Sequence, residues 1–305
     1  MSHTDDLDVR LMKELTSPGS FRWDVRESYS KIAKRLAIDE ETLRKRMRRA
    51  QQIGLLQGMH LILNPHLIGC ESAALELEVD NEDRKGSVIS QIELIEGMVF
   101  IVNFLGKKLR TVFFYDNERV LARKIQLIRS ICASSPGMHW NDPFPRCNMK
   151  LRKTDWLIIR AIRREARKGL PEIAKQIQVS TRTVKRRLSM MIEANAFFLM
   201  PVFDHARSAG VVCSYTVSFP DTNEKPKIDE QIKSRLARLV FSNTSAKMYS
   251  VFSVICNNVS EADEIRKSIK SLVGVKGVTM NIVKEFILVP DWLDGLINSR
   301  IGQAN

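Results

Sequence analysis

The stretch SKIAKRLAIDEETLRKRM, Ser30 to Met47, returns 141 positions later as PEIAKQIQVSTRTVKRRL, Pro171 to Leu188. The same offset carries Gly69 onto Gly210, and it carries Asn117, which opens NERVLARKIQLIRSIC, onto Asn258, which opens NVSEADEIRKSIKSLV. Self-similarity at a fixed period means that one structural unit is written more than once. A chain of 305 residues has room for two to four compact units, each burying its own core. The expectation is therefore two copies of one module in tandem.

The front of each copy reads as three helices. In the second copy DWLIIRAIRREARK places Trp156, Ile159, Ile162 and Ala166 on one helical face. A short helix, PEIAKQI, opens on Pro171, where a missing N–H costs little. After a turn at Gln178 and Val179, Ser180 is a good N-cap for a third helix, whose Val184, Leu188, Met191 and Ile192 form the buried stripe. Thr181, Arg182, Lys185, Arg186 and Ser189 are left facing outward. The pattern is helix-turn-helix, followed by an extended wing at FFLMPV.

The back of each copy alternates differently. SAALELEV, Ser72 to Val79, sets Leu75, Leu77 and Val79 against Glu76 and Glu78, the period of a half-buried strand. A helix over roughly residues 84 to 96 follows, then strands around MVFIVNFL and RTVFFYD. The next helix buries Leu121, Ile125, Ile128 and Cys132, and a short strand near MHWNDP completes a βαββαβ order, the ferredoxin-like arrangement. In the second copy the pieces are VCSYTVSF, KIDEQIKSRLARL, KMYSVFSVIC, EADEIRKSIKSLV and VTMNIVKEFILV. The expected class is α+β, with winged helix-turn-helix units at 1–69 and 151–205 and βαββαβ units at 70–134 and 206–290. A linker at 135–150, holding Pro136, Pro143 and Pro145, and a tail at 291–305 complete the division.

Charge separates the copies. The net +13 concentrates in residues 150–200, which carry 13 basic and 4 acidic side chains. A run of cations is ordinarily a solvated helix face. Here it lies on the third helix of a helix-turn-helix with few acids nearby, which favours double-stranded DNA as partner. Ser180, Thr181, Arg182, Thr183, Lys185 and Arg186 are the expected contacts. Arg182 and Thr183 sit nearest the base edges, while Lys185, Arg186 and the cations of RREARK suit phosphates. Arg187 adjoins the buried stripe and is open to either a structural ion pair or a phosphate contact. In the first copy Thr42, Arg44, Lys45, Arg48 and Arg49 occupy the corresponding helix. Asp39, Glu40 and Glu41 suit its positive N-terminus but repel DNA where bases are read.

The segments TDWLIIRAIRREARKGLPEIAKQIQVSTRTVKRRL, LDVRLMKEL and YSKIAKRLAIDEETLRKRMRRAQQIGLLQG together resemble the leucine-responsive/AsnC (Lrp/AsnC) family of prokaryotic transcription regulators. The resemblance implies a winged helix-turn-helix joined to a βαββαβ domain that dimerises and binds small effectors such as amino acids. With two modules in one chain, it implies sheets facing each other as an intrachain pseudo-dimer with two DNA readers, open to further homo-oligomerisation. The family's turn glycine is Ala37 in one copy and Gln178 in the other, and the first copy inserts SPGSFRWDV. Where the family's effector region often has Gly-x-x-Asp, the first copy has Gly106 to Leu109 without the acid, and the second has Lys247 in place of the glycine.

Two other function classes share this outline. Sirohaem decarboxylases have the same paired architecture and bind a tetrapyrrole between modules, but the RRFGA-like segment expected after their third helix is LLQGMHLIL and FFLMPVFDH here. A sequence-independent DNA coater needs only the positive charge. No catalytic set, phosphate loop or cofactor motif stands out, and His60, His66, His139 and His205 lack metal-ligand spacing. Trp156 is expected in the core, with Trp23, Trp140 and Trp292 as packing anchors. Five dispersed cysteines fit free thiols in a cytoplasm, and MVFIVNFL is too short for a membrane span.

Overall fold

The computed structural model describes residues 5–16, 26–133, 137–141, 144–204, 207, 210–236 and 238–303. The inserted SPGSFRWDV with Trp23, and also Pro136, Pro143 and His205, lie outside the described residues. The fold is α+β. The first copy runs α1 (Asp6–Thr16), α2 (Tyr29–Leu36), α3 (Glu40–Gln52), β1 (Leu56–Leu63), β2 (Glu71–Glu78), α4 (Lys85–Glu93), β3 (Met98–Phe104), β4 (Lys108–Tyr115), α5 (Glu118–Cys132) and β5 (Met138–Asn141). The second runs α6 (Lys153–Ile162), α7 (Leu170–Ile177), α8 (Thr181–Glu193), β6 (Phe197–Phe203), β7 (Val211–Ser218), α9 (Lys225–Arg235), β8 (Leu239–Asn243), β9 (Tyr249–Cys256), α10 (Val259–Lys270) and β10 (Gly277–Leu288). A last helix, α11 (Asp291–Gln303), follows.

Repeat-equivalent residues do the same local work. Asn117 accepts from Val120 N–H at 3.1 Å to start α5, and Asn258 accepts from Glu261 N–H at 2.9 Å to start α10. Each satisfies a backbone donor that the first turn leaves unpaired. Gly69 and Gly210 both have positive φ, and at Gly210 a Cβ would lie 2.0 Å from the Cys256 carbonyl oxygen, so no side chain fits there.

The eight sheet strands run in the order β5-β2-β4-β3-β10-β7-β9-β8. The copies are joined by β10, whose first half pairs with β7 and whose second half pairs antiparallel with β3. Its twelve residues are what let it reach both; β5, its counterpart, has four. One seam between the halves is therefore zipped by a shared strand, while β5 and β8 remain as edges. Helix-facing residues such as Leu75, Phe113, Tyr215 and Phe252 fill two separate cores. The opposite faces meet each other: Arg110 of β4 donates to the Ser214 hydroxyl of β7 at 3.1 Å.

That contact corrects the reading of β2 as a half-buried strand. Glu76 is 4% exposed and takes the Arg110 guanidinium, so β2 is covered on both faces. The extended segment after the third helix also behaves differently from a wing hairpin. β6 pairs antiparallel with β1, from Leu56 opposite Phe203 to Leu63 opposite Phe197, so each copy supplies one strand of a shared ribbon. Pro201 is tolerated there because a two-stranded ribbon has only edges. The segment expected as a C-terminal tail is helical, and Leu293 and Ile297 of α11 enter the core that holds Trp156. No described helix is long and apolar enough to cross a membrane.

Candidate nucleic-acid interface

α8 is held by its inner stripe. Val184, Leu188 and Met191 are buried with Trp156, Ile159 and Ile162 of α6 and with Phe197 and Leu199 of β6, while Ile192 is packed against the same core. Ala166 joins that core from beyond the end of α6. Ser180 starts the helix by accepting from Thr183 N–H at 3.1 Å, and the Thr183 hydroxyl lies 2.9 Å from the same oxygen. Thr183 is therefore partly committed to the cap. Arg187 points inward: its Nε donates to Asp155 Oδ1 at 2.6 Å, with a second bond to Oδ2, and both residues are buried. Hydrogen bonding to that carboxylate raises the Arg187 pKa further. Of the two readings open for Arg187, the structure has the ion pair.

The outer face of α8 carries Thr181, Arg182, Lys185 and Arg186, all exposed. Among the described residues none of these three cations has an acidic partner. Their charge remains available to a ligand.

α3 has the same frame and a different electrostatic outcome. Asp39 caps it, accepting from Thr42 N–H at 2.7 Å and from the Thr42 hydroxyl at 2.6 Å, and those bonds hold the Asp39 carboxyl below its usual range. Thr42 thus serves the cap. One turn on, Arg44 pairs with Glu40 at 2.7 Å and Lys45 with Glu41 at 2.9 Å. Exposed pairs of this type contribute only tenths of a kcal/mol to stability, about 0.3–0.5 each. Their importance is that they occupy the cations. Arg48 is exposed, whereas Arg49 is only half-exposed and turned toward Asp8, because α1 lies against that side.

The RREARK cations, expected at phosphates, serve mainly as struts. Arg163 is buried, donating to the Leu61 carbonyl at 2.6 Å and pairing with Asp294 at 3.1 Å; Arg164 shares Asp294 from the surface. Lys168 pairs with Glu172. Arg167 stacks on Tyr29 at 4.1 Å and donates to the Glu27 carbonyl, while Arg44 covers Tyr29 at 4.5 Å. Tyr29 therefore clasps the two helix-turn-helix units together. Nothing in its spacing marks it, since the contact spans the two copies.

Both turns keep a left-handed residue without glycine: φ is 54° at Ala37 and 57° at Gln178. That region costs a residue with a Cβ about 1–2 kcal/mol, against about 0.5–1 kcal/mol of extra chain entropy lost by glycine. Gln178→Gly is expected to stabilise the protein by about 0.5–1 kcal/mol. A higher urea midpoint at unchanged slope is the check.

Comparison with known proteins agrees with this geometry. Residues 151–195 match the winged helix-turn-helix DNA-binding family. The regulatory protein AsnC of Haemophilus influenzae is 25% identical over 154 residues, which are 48% of this chain and 97% of that protein. One relative of full length thus corresponds to about half of this chain. The crystal structure of the sirohaem decarboxylase NirDL superposes with a TM-score of 0.58 at 13% identity, over 98% of each chain. Its complex with an iron-uroporphyrin III analogue gives 0.57 at 13%, over 97% of this chain and 99% of that one. At that identity the likeness is one of fold. The chain thus carries a winged helix-turn-helix of the DNA-binding kind at residues 151–195, and about half of its length is similar to a regulator of the AsnC type.

Proposed function

We propose that the chain is a sequence-specific transcription regulator that binds double-stranded DNA as an intrachain pseudo-dimer with unequal readers. The observation that carries this reading is the contrast between the two third helices. Among the described residues α8 offers Arg182, Lys185 and Arg186 without acidic partners, whereas α3 pairs Arg44 and Lys45 with its own glutamates. α8 is the principal reader. α3 is a weaker partner that touches mainly backbone phosphates, through Arg48 and whatever it can release from Glu40 and Glu41.

Arg182, near the helix N-terminus, is the assigned base contact, and Lys185 is a phosphate contact. After selection of a preferred DNA, Arg182→Ala is expected to cost about 1–3 kcal/mol on that DNA and to flatten sequence preference. Lys185→Ala is expected to weaken all sequences alike and to reduce the slope of log K against log salt by about 1. Equal losses from both variants on every DNA would instead indicate a sequence-independent coater.

A second reading, a tetrapyrrole decarboxylase, is favoured by one observation, the full-length fold likeness to NirDL. Against it, the segments after the two third helices, LLQGMHLIL and FFLMPVFDH, lack the RRFGA-like run expected there in those enzymes. Titration with sirohaem followed by visible absorption tests it: tight uptake with conversion would replace the regulatory reading.

A further inference from the structure

We infer that the space between the two halves of the sheet is a binding site for a neutral aromatic molecule of benzene-to-indole size, entered at the seam between β5 and β8. The cavity, about 120 Å³, is walled by Ala74, Phe100 and Val112 from the first copy, Phe241 and Val251 from the second, and Trp140 of β5. An apolar cavity of about 150 Å³ stays dry and takes up benzene, so this volume and lining suit a single ring system.

The polar groups narrow the ligand further. Among the described residues Arg110 is the one charged side chain in the wall, and its guanidinium is engaged, with Nε on Glu76 at 3.0 Å, Nη1 on Ser214 at 3.1 Å and Nη2 on both Glu76 and Thr216. A carboxylate or phosphate would bring a second negative charge into an apolar space beside the buried Glu76, which already shares Arg110 and Lys108, and like charges repel there far more than in water. A neutral ring displaces nothing and regains dispersion contacts that an empty space forfeits.

The route in follows from the broken symmetry of the sheet. β10 is long enough to seal one seam against β3, but β5 has four residues and does not pair with β8. Across that second seam the Ser245 hydroxyl donates to the Asn141 carbonyl at 3.4 Å, and Trp140 packs in one cluster with Phe241 and Val251. The far wall is β6, whose Leu199 to Phe203 border the cavity and whose Phe197 and Leu199 also pack against α8. An occupant therefore touches the strand that supports the proposed reading helix, and it changes DNA affinity to the extent that it binds the two arrangements of that strand differently. This last step rests on the regulatory reading; the site itself does not.

The full chain is to be melted, and titrated by calorimetry, with benzene, indole and benzoate. Benzene and indole are expected to raise Tm by about 2–4 °C when present at ten times Kd, and benzoate to have no effect. Ala74→Leu and, independently, Val112→Phe fill the space, so either folded variant should lose the shift. No shift with either neutral ring, an equal shift with benzoate, or a shift that survives both filled variants would overturn the site. Indole is then expected to change DNA affinity several-fold. An unchanged affinity beside clear indole binding overturns the coupling and leaves the site, and DNA binding by the free chain, standing.

Discussion

Thr181→Glu combined with Arg182→Glu is expected to lower affinity for DNA of every sequence by about a hundredfold or more at moderate salt, with the fold retained. These positions are the counterparts of Glu40 and Glu41 in the other copy, so the variant imposes on α8 the pattern that α3 already has. The new carboxylates fall four residues before Lys185 and Arg186, the spacing at which Glu40 meets Arg44 and Glu41 meets Lys45. The base-reading cation is removed and the two phosphate-contacting cations are occupied, so the salt slope should fall by about 2. Stability should hold or rise slightly, because acids in a first turn interact favourably with the helix dipole by about 0.3–1 kcal/mol each. The reciprocal pair, Glu40→Gln and Glu41→Gln, is expected to strengthen binding by freeing Arg44 and Lys45. Anisotropy titrations across salt concentration, with a melting curve for each variant, decide the matter. A folded double-glutamate variant that binds within threefold of the parent would remove α8 from the interface.

The repeat made much of this readable from sequence, because a feature seen twice at one offset is constrained twice. The cap at Ser180, the stripe of α5 and the inner face of α8 are local, set by helical period and capping chemistry, and they stand where the pattern put them. What was not legible depends on one copy touching the other. The β1–β6 ribbon, the shared strand β10, the burial of Glu76 against Arg110 and the Tyr29 clasp all join residues far apart in sequence. Alternation of Leu with Glu in β2 reports a polar face but cannot tell solvent from a buried guanidinium. The RREARK cations show the same limit, since charge is visible in sequence and its partner is not. β8 of the second copy carries no sequence signal, because LVFSN is short and follows a helix without a turn signal of its own.

Asp155→Ala is expected to destabilise the second helix-turn-helix by about 3–5 kcal/mol, because it strands the Arg187 guanidinium in the core. The carboxylate also accepts from Arg152 N–H at 2.7 Å, so the start of α6 loses its cap in the same step. Against a total stability of about 5–15 kcal/mol for a domain, that is enough to populate the unfolded head at ordinary temperature. DNA binding should be lost with it. The informative control replaces both partners, Asp155→Leu with Arg187→Met, since an apolar pair in place of a buried ion pair is often neutral or stabilising by about 1–4 kcal/mol. If Arg187 serves only to dock α8, the double variant regains both its urea midpoint and its DNA affinity. Recovered folding without recovered binding would mean that Arg187 leaves Asp155 for a phosphate when DNA arrives, and the count of cations at the interface would rise by one.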